Sequence, residues 1–329
     1  MEIGPVVDIR NYEEFYRLFR KDYGKDVKAI EFHILRSDLH DKENFKNALQ
    51  KIEKFLNEKI FEKISFHCPD QVVCISILNK MSNKSGILEA VSLESSEKAR
   101  SDLMFFIDSI YELKIKQPMI VFHFGIYLPK DFLEKLDDSQ LKELRNAGKD
   151  AIKEEYLEIS QYTKNRGVIM AIETSPIVNY QETQGHFFDQ CFEEIQNRHS
   201  LLVVDTAHVS MCAEYFKQPR QDYRWMRYLK DEYKNAKSTA SLKDFIEFSK
   251  DHITWFHISD ATGYNGNDEG KPIKQPNSIV DWKAFAETIK HIEKTKKLYG
   301  VIEIANAHDD YSKIQKSLRF LKDSYPEVF

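Results

Sequence analysis

A chain of 329 residues, 42% hydrophobic and 31% charged, is long enough to bury a substantial core and too apolar to remain disordered. Its 48 Lys and Arg against 53 Asp and Glu give a formal net charge of −5, so no global basic field gathers a polyanion and nucleic acid is not the expected partner. The sequence opens without a basic leader and apolar stretch, and holds no apolar run long enough to span a bilayer, which predicts a cytoplasmic protein with no membrane association.

Short β-branched runs alternate with longer segments whose apolar residues recur at three- and four-residue spacing. In chain order, strands are predicted over 4–9 and 27–34, then a helix over 43–59 with Phe45, Leu49, Ile52 and Phe55 on one stripe. A strand over 63–66 precedes a helix over 98–113, and a strand over 119–122 precedes a long helix over 139–164 that a Ser N-cap opens. Further strands follow over 167–172, 201–204 and 253–256. A helix carrying Trp282, Phe285, Ile289 and Ile292 leads to the last strand over 298–302, and Ile314, Leu318 and Leu321 mark a closing helix.

Eight strands with intervening helices and no Gly/Pro/Ser-rich linker predict one domain over 1–329, an α/β (β/α)8 TIM barrel. A doubly wound sheet is disfavoured because no strand runs into a GxGxxG or GxxxxGKS turn. The stretch 212–250 is longer than a βα connection requires and is read as a helical insertion, a lid or the contact of a homodimer. Cys68, Cys74, Cys191 and Cys212 form no CxxC pair and are expected to be reduced and mostly buried.

The residues that end the strands carry the chemistry. His67 follows Phe66, His123 follows Phe122, Glu173 follows Ile172, Asp205 and His208 follow Val204, His257 and Asp260 follow Phe256, and Glu303 follows Ile302. Barrel strands deliver their C-terminal ends to one mouth, so these residues are expected to converge. Glu173 and Glu303 come directly after apolar β-runs, where an uncompensated charge is costly, and a metal ion would compensate them. Taken singly, His67 reads as a hydrogen-bonded structural residue and Asp205 as the cap of the next helix. Mixed oxygen and imidazole ligation without cysteine suits a catalytic divalent metal such as Zn, Mn, Co or Fe(II).

The order His123-x-Gly, Glu173-Thr, Asp205-Thr-Ala-His208, His257-Ile-Ser-Asp260, Glu303 resembles the xylose-isomerase-like TIM-barrel superfamily over residues 64–303. That superfamily includes ketose 3-epimerases, inosose and hexulose-phosphate enzymes, and endonuclease IV. Its isomerase and epimerase branch implies a metal on Glu173, Asp205, His257 and Glu303, with His208 on substrate hydroxyls. It also implies Glu173 and Glu303 as acid and base around an enediolate of a small sugar, sugar phosphate or polyol. Endonuclease IV is similar in two further histidines, matched by His67 and His123, and in an Asp-x-His ligand pair of which Asp268 remains while Gly270 replaces the histidine. A metal-dependent isomerase or epimerase is therefore the first expectation, an endonuclease IV-like phosphodiesterase on abasic DNA the second, and an inactive barrel that only binds the third. A phosphorylated substrate would need cations, for which Lys130, Arg220, Arg224, Lys271 and Lys274 are candidates; His186, His308, Glu31 and His33 are expected in structural or surface roles.

Overall fold

Alternating residues of a strand face opposite sides, and in this chain both sides are apolar, as a sheet wrapped by helices requires. A computed structural model describes residues 1–24, 26–59, 61–88, 93–126, 128–175, 178–179, 182–183, 200–217, 225, 227, 240–264, 268–305, 307 and 310–329. Eight strands, β1 (Glu2–Asp8), β2 (Ala29–His33), β3 (Lys63–His67), β4 (Met119–Phe122), β5 (Ile169–Glu173), β6 (Ser200–Asp205), β7 (Ile253–Ile258) and β8 (Tyr299–Ile302), pair in parallel in chain order. β8 returns to β1, closing the barrel. All eight predicted strands are present, with ends that differ by a few residues.

The helices outside are α1 (Tyr12–Tyr23), α2 (Lys42–Asn57), α3 (Asp70–Ser82), α4 (Leu93–Tyr111), α5 (Asp138–Asn165), α6 (Thr206–Lys217), α7 (Leu242–Ser249), α8 (Trp282–Ile292) and α9 (Tyr311–Ser324). The long helix is capped by Asp137, not by a serine: its carboxylate accepts from Gln140 N and the Gln140 side chain accepts from Asp137 N, a reciprocal pair that satisfies two otherwise orphaned donors. α3 escapes a periodicity reading because it is wedged between α4 and α5 and buries Val72, Val73, Cys74, Ser76, Ile77 and Met81 on several sides. Of the expected insertion over 212–250, residues 212–217 complete α6 and 242–249 form α7, and most of the rest lies outside the described residues.

Two apolar layers follow from the strand parity. Ile3, Val7, Ile30, Phe32, Phe66, Ile120, Phe122, Leu202 and Phe256 join the helices in the main core. The opposite parity forms a separate cluster of Val6, Ala29, Met119, Val121, Ala171, Val203, Trp255, Tyr299 and Val301, the plug inside the barrel. Closure also needs Gly4, where a Cβ would meet Ala29 O at 1.8 Å, so any side chain would force β1 away from β2.

Candidate active site

Moving two residues toward the C-terminus keeps a side chain on the same face of a strand. Applied to the plug, that step takes Ala29 to Glu31 and His33, Val121 to His123, Ala171 to Glu173, Val203 to Asp205, Trp255 to His257 and Val301 to Glu303, while Ser65 leads to His67. The register staggers these ends from strand to strand: His33 lies opposite His67 and Asp205 opposite His257, whereas Glu173 lies opposite Val203 and His257 opposite Val301. Along each of these strands the inward series thus changes from apolar to ionisable toward its C-terminal end.

The convergence expected of the strand ends is present. Glu173 Oε2 lies 3.0 Å from His67 Nε2 and 2.9 Å from His123 Nε2, and Glu173 Oε1 lies 3.0 Å from His257 Nδ1. His257 Nδ1 is also 2.6 Å from Glu303 Oε2. Three sets place their donor atoms within 4.8 Å of one another and could hold a metal ion: Glu173, Asp205, His257 and Glu303; His67, His123 and Glu173; and His67, His257 and Glu303.

Glu173 Oε1, His257 Nδ1 and Glu303 Oε2 are buried, yet none has a hydrogen-bond partner among the described residues. Buried acceptors pointed at one another without a proton or a cation between them are strongly unfavourable. The donor set and its unsatisfied atoms fit a divalent ion.

Surrounding groups fix which nitrogen of each ring faces inward. His257 Nε2 lies 3.0 Å from the Glu31 carboxylate, which also accepts from Ser65 Oγ at 2.7 Å, so Nε2 donates and Nδ1 is left for the cluster. His67 Nδ1 donates to Cys68 O at 3.0 Å, and His123 Nδ1 sits 3.0 Å from Ser175 Oγ, so both turn Nε2 to Glu173. Asp205 accepts from His208 N at 2.8 Å and from Ser259 Oγ at 3.2 Å, which makes it the cap of α6 as well as a member of the cluster. His208 donates Nδ1 to Thr174 O at 2.7 Å and holds Nε2 3.3 Å from Glu269 Oε2.

These charges move one another's protons. Burial alone would raise Glu173 and Glu303, but His123 and His257 hold Glu173 well below the usual carboxylate range, and His257 holds Glu303 at about 2. Burial disfavours the charged imidazoles, yet Glu173 outweighs it and pushes His67 up to about 10 and His257 well above its ordinary value. Asp205 is pushed up to about 6 by burial, against the pull of His208 and with the push of Glu173 and Glu303.

Two acidic residues around the β7 loop stand apart from the cluster. Asp268 belongs to none of the three sets; its Oδ1 lies 3.4 Å from Thr262 Oγ1, across the tight turn at Gly263. Asp260, paired in sequence with His257, instead accepts from Ala261 N, Gln275 N and Ser278 Oγ, and so pins the 270–278 loop. Gly270 has φ +62° and would drive a Cβ to 2.7 Å from Ala305, so a histidine there would be strained and would have to push Ala305 aside, and its neighbour Glu269 enters the site instead.

The cavity over the cluster is lined by His33, His67, His123 and His208 and by Asp70, Glu173, Asp205, Glu269 and Glu303, and among its described residues by no Lys or Arg. Lys274 rests over the Phe320 ring, 5.3 Å from its centre. Arg220, Arg224, His186, His308 and Cys191 lie outside the described residues. Glu31, Asp70 and Glu269 were not read as site residues from sequence. Only Glu31 left a signal, as a carboxylate inside the apolar run Ala29-Ile30-Glu31-Phe32.

Residues 21–324 match the sequence pattern described as the xylose isomerase-like TIM barrel. No curated protein matches the chain in sequence. Among solved structures, a D-tagatose 3-epimerase-like protein superposes with a TM-score of 0.61 at 13% identity, covering 100% of this chain and 98% of that one. A xylose isomerase domain protein from Planctomyces limnophilus gives 0.57 at 12% identity over 99% and 98% of the two chains. D-psicose 3-epimerase in the presence of D-fructose gives 0.55 at 13% identity over 100% and 99%. At such identities the likeness speaks for the fold.

Proposed function

Because the chain belongs to the xylose isomerase-like TIM-barrel family, we propose that it is a divalent-metal-dependent isomerase or epimerase of a small, uncharged sugar or polyol. The observation that carries this reading is the meeting of Glu173, Asp205, His257 and Glu303, with three buried atoms among them that no hydrogen bond satisfies. When bound there, a divalent ion withdraws electron density from a carbonyl and acidifies the proton on the adjacent carbon.

The chain's own residues supply the rest. Glu303 is ionised at neutral pH, with its side chain 27% exposed toward the cavity, and is assigned as the base that takes the proton. Glu173 is assigned as the second carboxylate, returning a proton passed to its Oε2 from protonated His67 or His123, 3.0 and 2.9 Å away. His208, its ring fixed by Thr174 O, presents Nε2 to a substrate hydroxyl. The structural neighbours named as epimerases support this chemistry without selecting the sugar. A cavity lined by five carboxylates and four imidazoles, with no Lys or Arg among its described residues, disfavours a phosphate group.

A second reading rests on His67, His123 and Glu173, which could hold another ion and would suit a clustered-metal phosphodiesterase. Glu173 divides its oxygens between the two sets, Oε2 toward His67 and His123 and Oε1 toward His257. The deciding experiment incubates metal-loaded protein with unphosphorylated ketoses and polyols in heavy water and follows carbon-bound deuterium by NMR. Deuterium entry that Glu303→Gln abolishes supports the isomerase. Cleavage of abasic duplex DNA that Glu173→Gln abolishes, with no deuterium exchange, replaces it by the phosphodiesterase. Metal analysis of protein purified without chelator provides the third arm, and a well-folded protein with neither metal nor activity leaves a binding barrel.

A further inference from the structure

The opposite end of the barrel has the reverse charge. A cavity of about 580 Å3 opens where β3, β4, β5 and β8 begin, and its lining includes Ile64, Met119, Ile169 and Tyr299 together with Lys59, Lys63, Lys114 and Lys116. Its one carboxylate, Glu62, is already engaged by Lys297 at 2.5 Å and Tyr299 Oη at 2.7 Å. None of the four lysines makes an ion pair with a described residue. Lys63 is half-buried at the start of β3 with its ammonium 5.8 Å from the centre of the Tyr299 ring, and burial lowers its pKa.

Lys59 also borders a second groove, of about 790 Å3, between α1 and α2. Arg17, Arg20 and Lys21 face it from one helix and Lys51 and Lys54 from the other, against only Glu13 and Glu58. Nine cations against three carboxylates adjoin one another in a chain whose net charge is −5. Of the nine, Arg20 alone has an ion pair among the described residues, with Asp26 at 3.6 Å, and like charges left this close are a cost that interspersed charges would lower.

We propose that the floor of the barrel, from Lys63 through Lys59 into the α1–α2 groove, binds a small ligand carrying two or more phosphate groups, an oligophosphate or a nucleoside polyphosphate. Lysines serve phosphate as point charges, and two adjoining open clefts of this size suit a small molecule. A nucleic-acid strand would want exposed aromatic faces to stack its bases, whereas Tyr16, Phe55 and Tyr299 beside these cavities are buried. The assignment is independent of the metal end and of its proposed chemistry.

The test titrates the purified, metal-containing protein with inorganic tripolyphosphate and, separately, with a nucleoside triphosphate. Binding is read by calorimetry, and contact by amine-reactive labelling of individual lysines with mass spectrometry. Saturable binding is expected, with Lys59, Lys63, Lys114 and Lys116 protected and affinity falling by at least about tenfold in Lys59→Glu/Lys63→Gln. The exposed pair Lys114→Glu/Lys116→Glu weakens binding in the same direction without touching the strand, and Lys142→Glu on α5 leaves it unchanged. Tighter binding of the nucleotide assigns the nucleoside form, and equal binding the bare phosphate chain. No saturation at millimolar ligand, protection spread evenly over all lysines, equal weakening by Lys142→Glu, or tighter binding of a single-stranded oligonucleotide overturns the proposal.

Discussion

Halfway up the barrel interior the same inward strand positions change character: below lies the plug built on Trp255, Val121, Ala171, Val203 and Val301, and one step above lies the ring of His123, Glu173, Asp205, His257 and Glu303. The lower layer is held by burial alone, with Trp255 and Val301 fully excluded from water. In the upper layer burial works against folding, since every ionised group there has left water and is tolerated only through the others or through an ion. The plug is therefore a stability device and the ring, on the proposed function, a binding device, although the two lie a few ångströms apart on the same strands.

Substitutions one step apart should separate them. Trp255→Ala is expected to cost about 3–5 kcal/mol by leaving a void, while the purified protein still takes up metal. Glu173→Ala is expected to abolish metal uptake and to destabilise the chelated protein by about 3–5 kcal/mol, because His67, His123 and His257 lose the charge that faces them. Thermal unfolding with and without chelator, alongside metal analysis, measures both. If Trp255→Ala lost its metal while remaining folded, or Glu173→Ala kept it, the division into plug and ring would be wrong.

Glu31 sharpens the comparison because it sits at plug height but serves the ring. It is fully buried and orients His257 through Nε2. Glu31→Gln should lower metal affinity by about 10- to 100-fold, since the amide holds the ring less well and lowers its basicity. Competition with a metal-binding dye measures it; an unchanged affinity would reduce Glu31 to a packing role.

The ring should also respond to pH and the plug should not. His67 is raised from 6.5 to about 10, so in the metal-free protein its protonated form contributes stability that is fully present below pH 6.5 and lost as pH rises through about 10. Bound metal takes the place of the proton, so the loaded protein should hold its melting temperature over that window, and metal binding near neutral pH should release protons in calorimetry performed in buffers of differing ionisation enthalpy. Parallel melting curves for loaded and chelated protein between pH 7 and 10 would contradict the exchange of proton for metal.

The barrel and most of the ring were legible because both rest on one short-range rule. Apolar runs with a period of two end in His, Glu or Asp, and barrel closure needs no further information to bring those ends together. Glu31 obeys the same parity but lies mid-strand, where no strand-end reading looks. Asp137 displaced Ser139 as the cap of α5 because the two compete within a single turn and only the reciprocal bond with Gln140 decides. α3 carries apolar residues on several faces, so its period was lost. The β7 loop was the least legible, because which of Asp260, Asp268 and Glu269 faces the cavity depends on turn geometry set by contacts with Ala305 and Ser278.

That loop yields the smallest effect. Asp268 stands at the position of a metal ligand by resemblance, yet the structure turns it toward Thr262 and gives its neighbour Glu269 to His208. Asp268→Asn preserves the size of the side chain and an oxygen facing Thr262, so it should change stability by no more than about 0.5 kcal/mol and leave metal content untouched. Glu269→Gln, one residue on, keeps the metal as well but removes the charge 3.3 Å from His208 Nε2, which raises the His208 pKa through its hydrogen bond and its field. The His208 pKa, read from its ring resonances in chelated protein, should therefore fall in Glu269→Gln and stay in place in Asp268→Asn. The reverse pattern, or metal lost with Asp268→Asn, would restore Asp268 to the ligand set and require the loop to rearrange when metal binds.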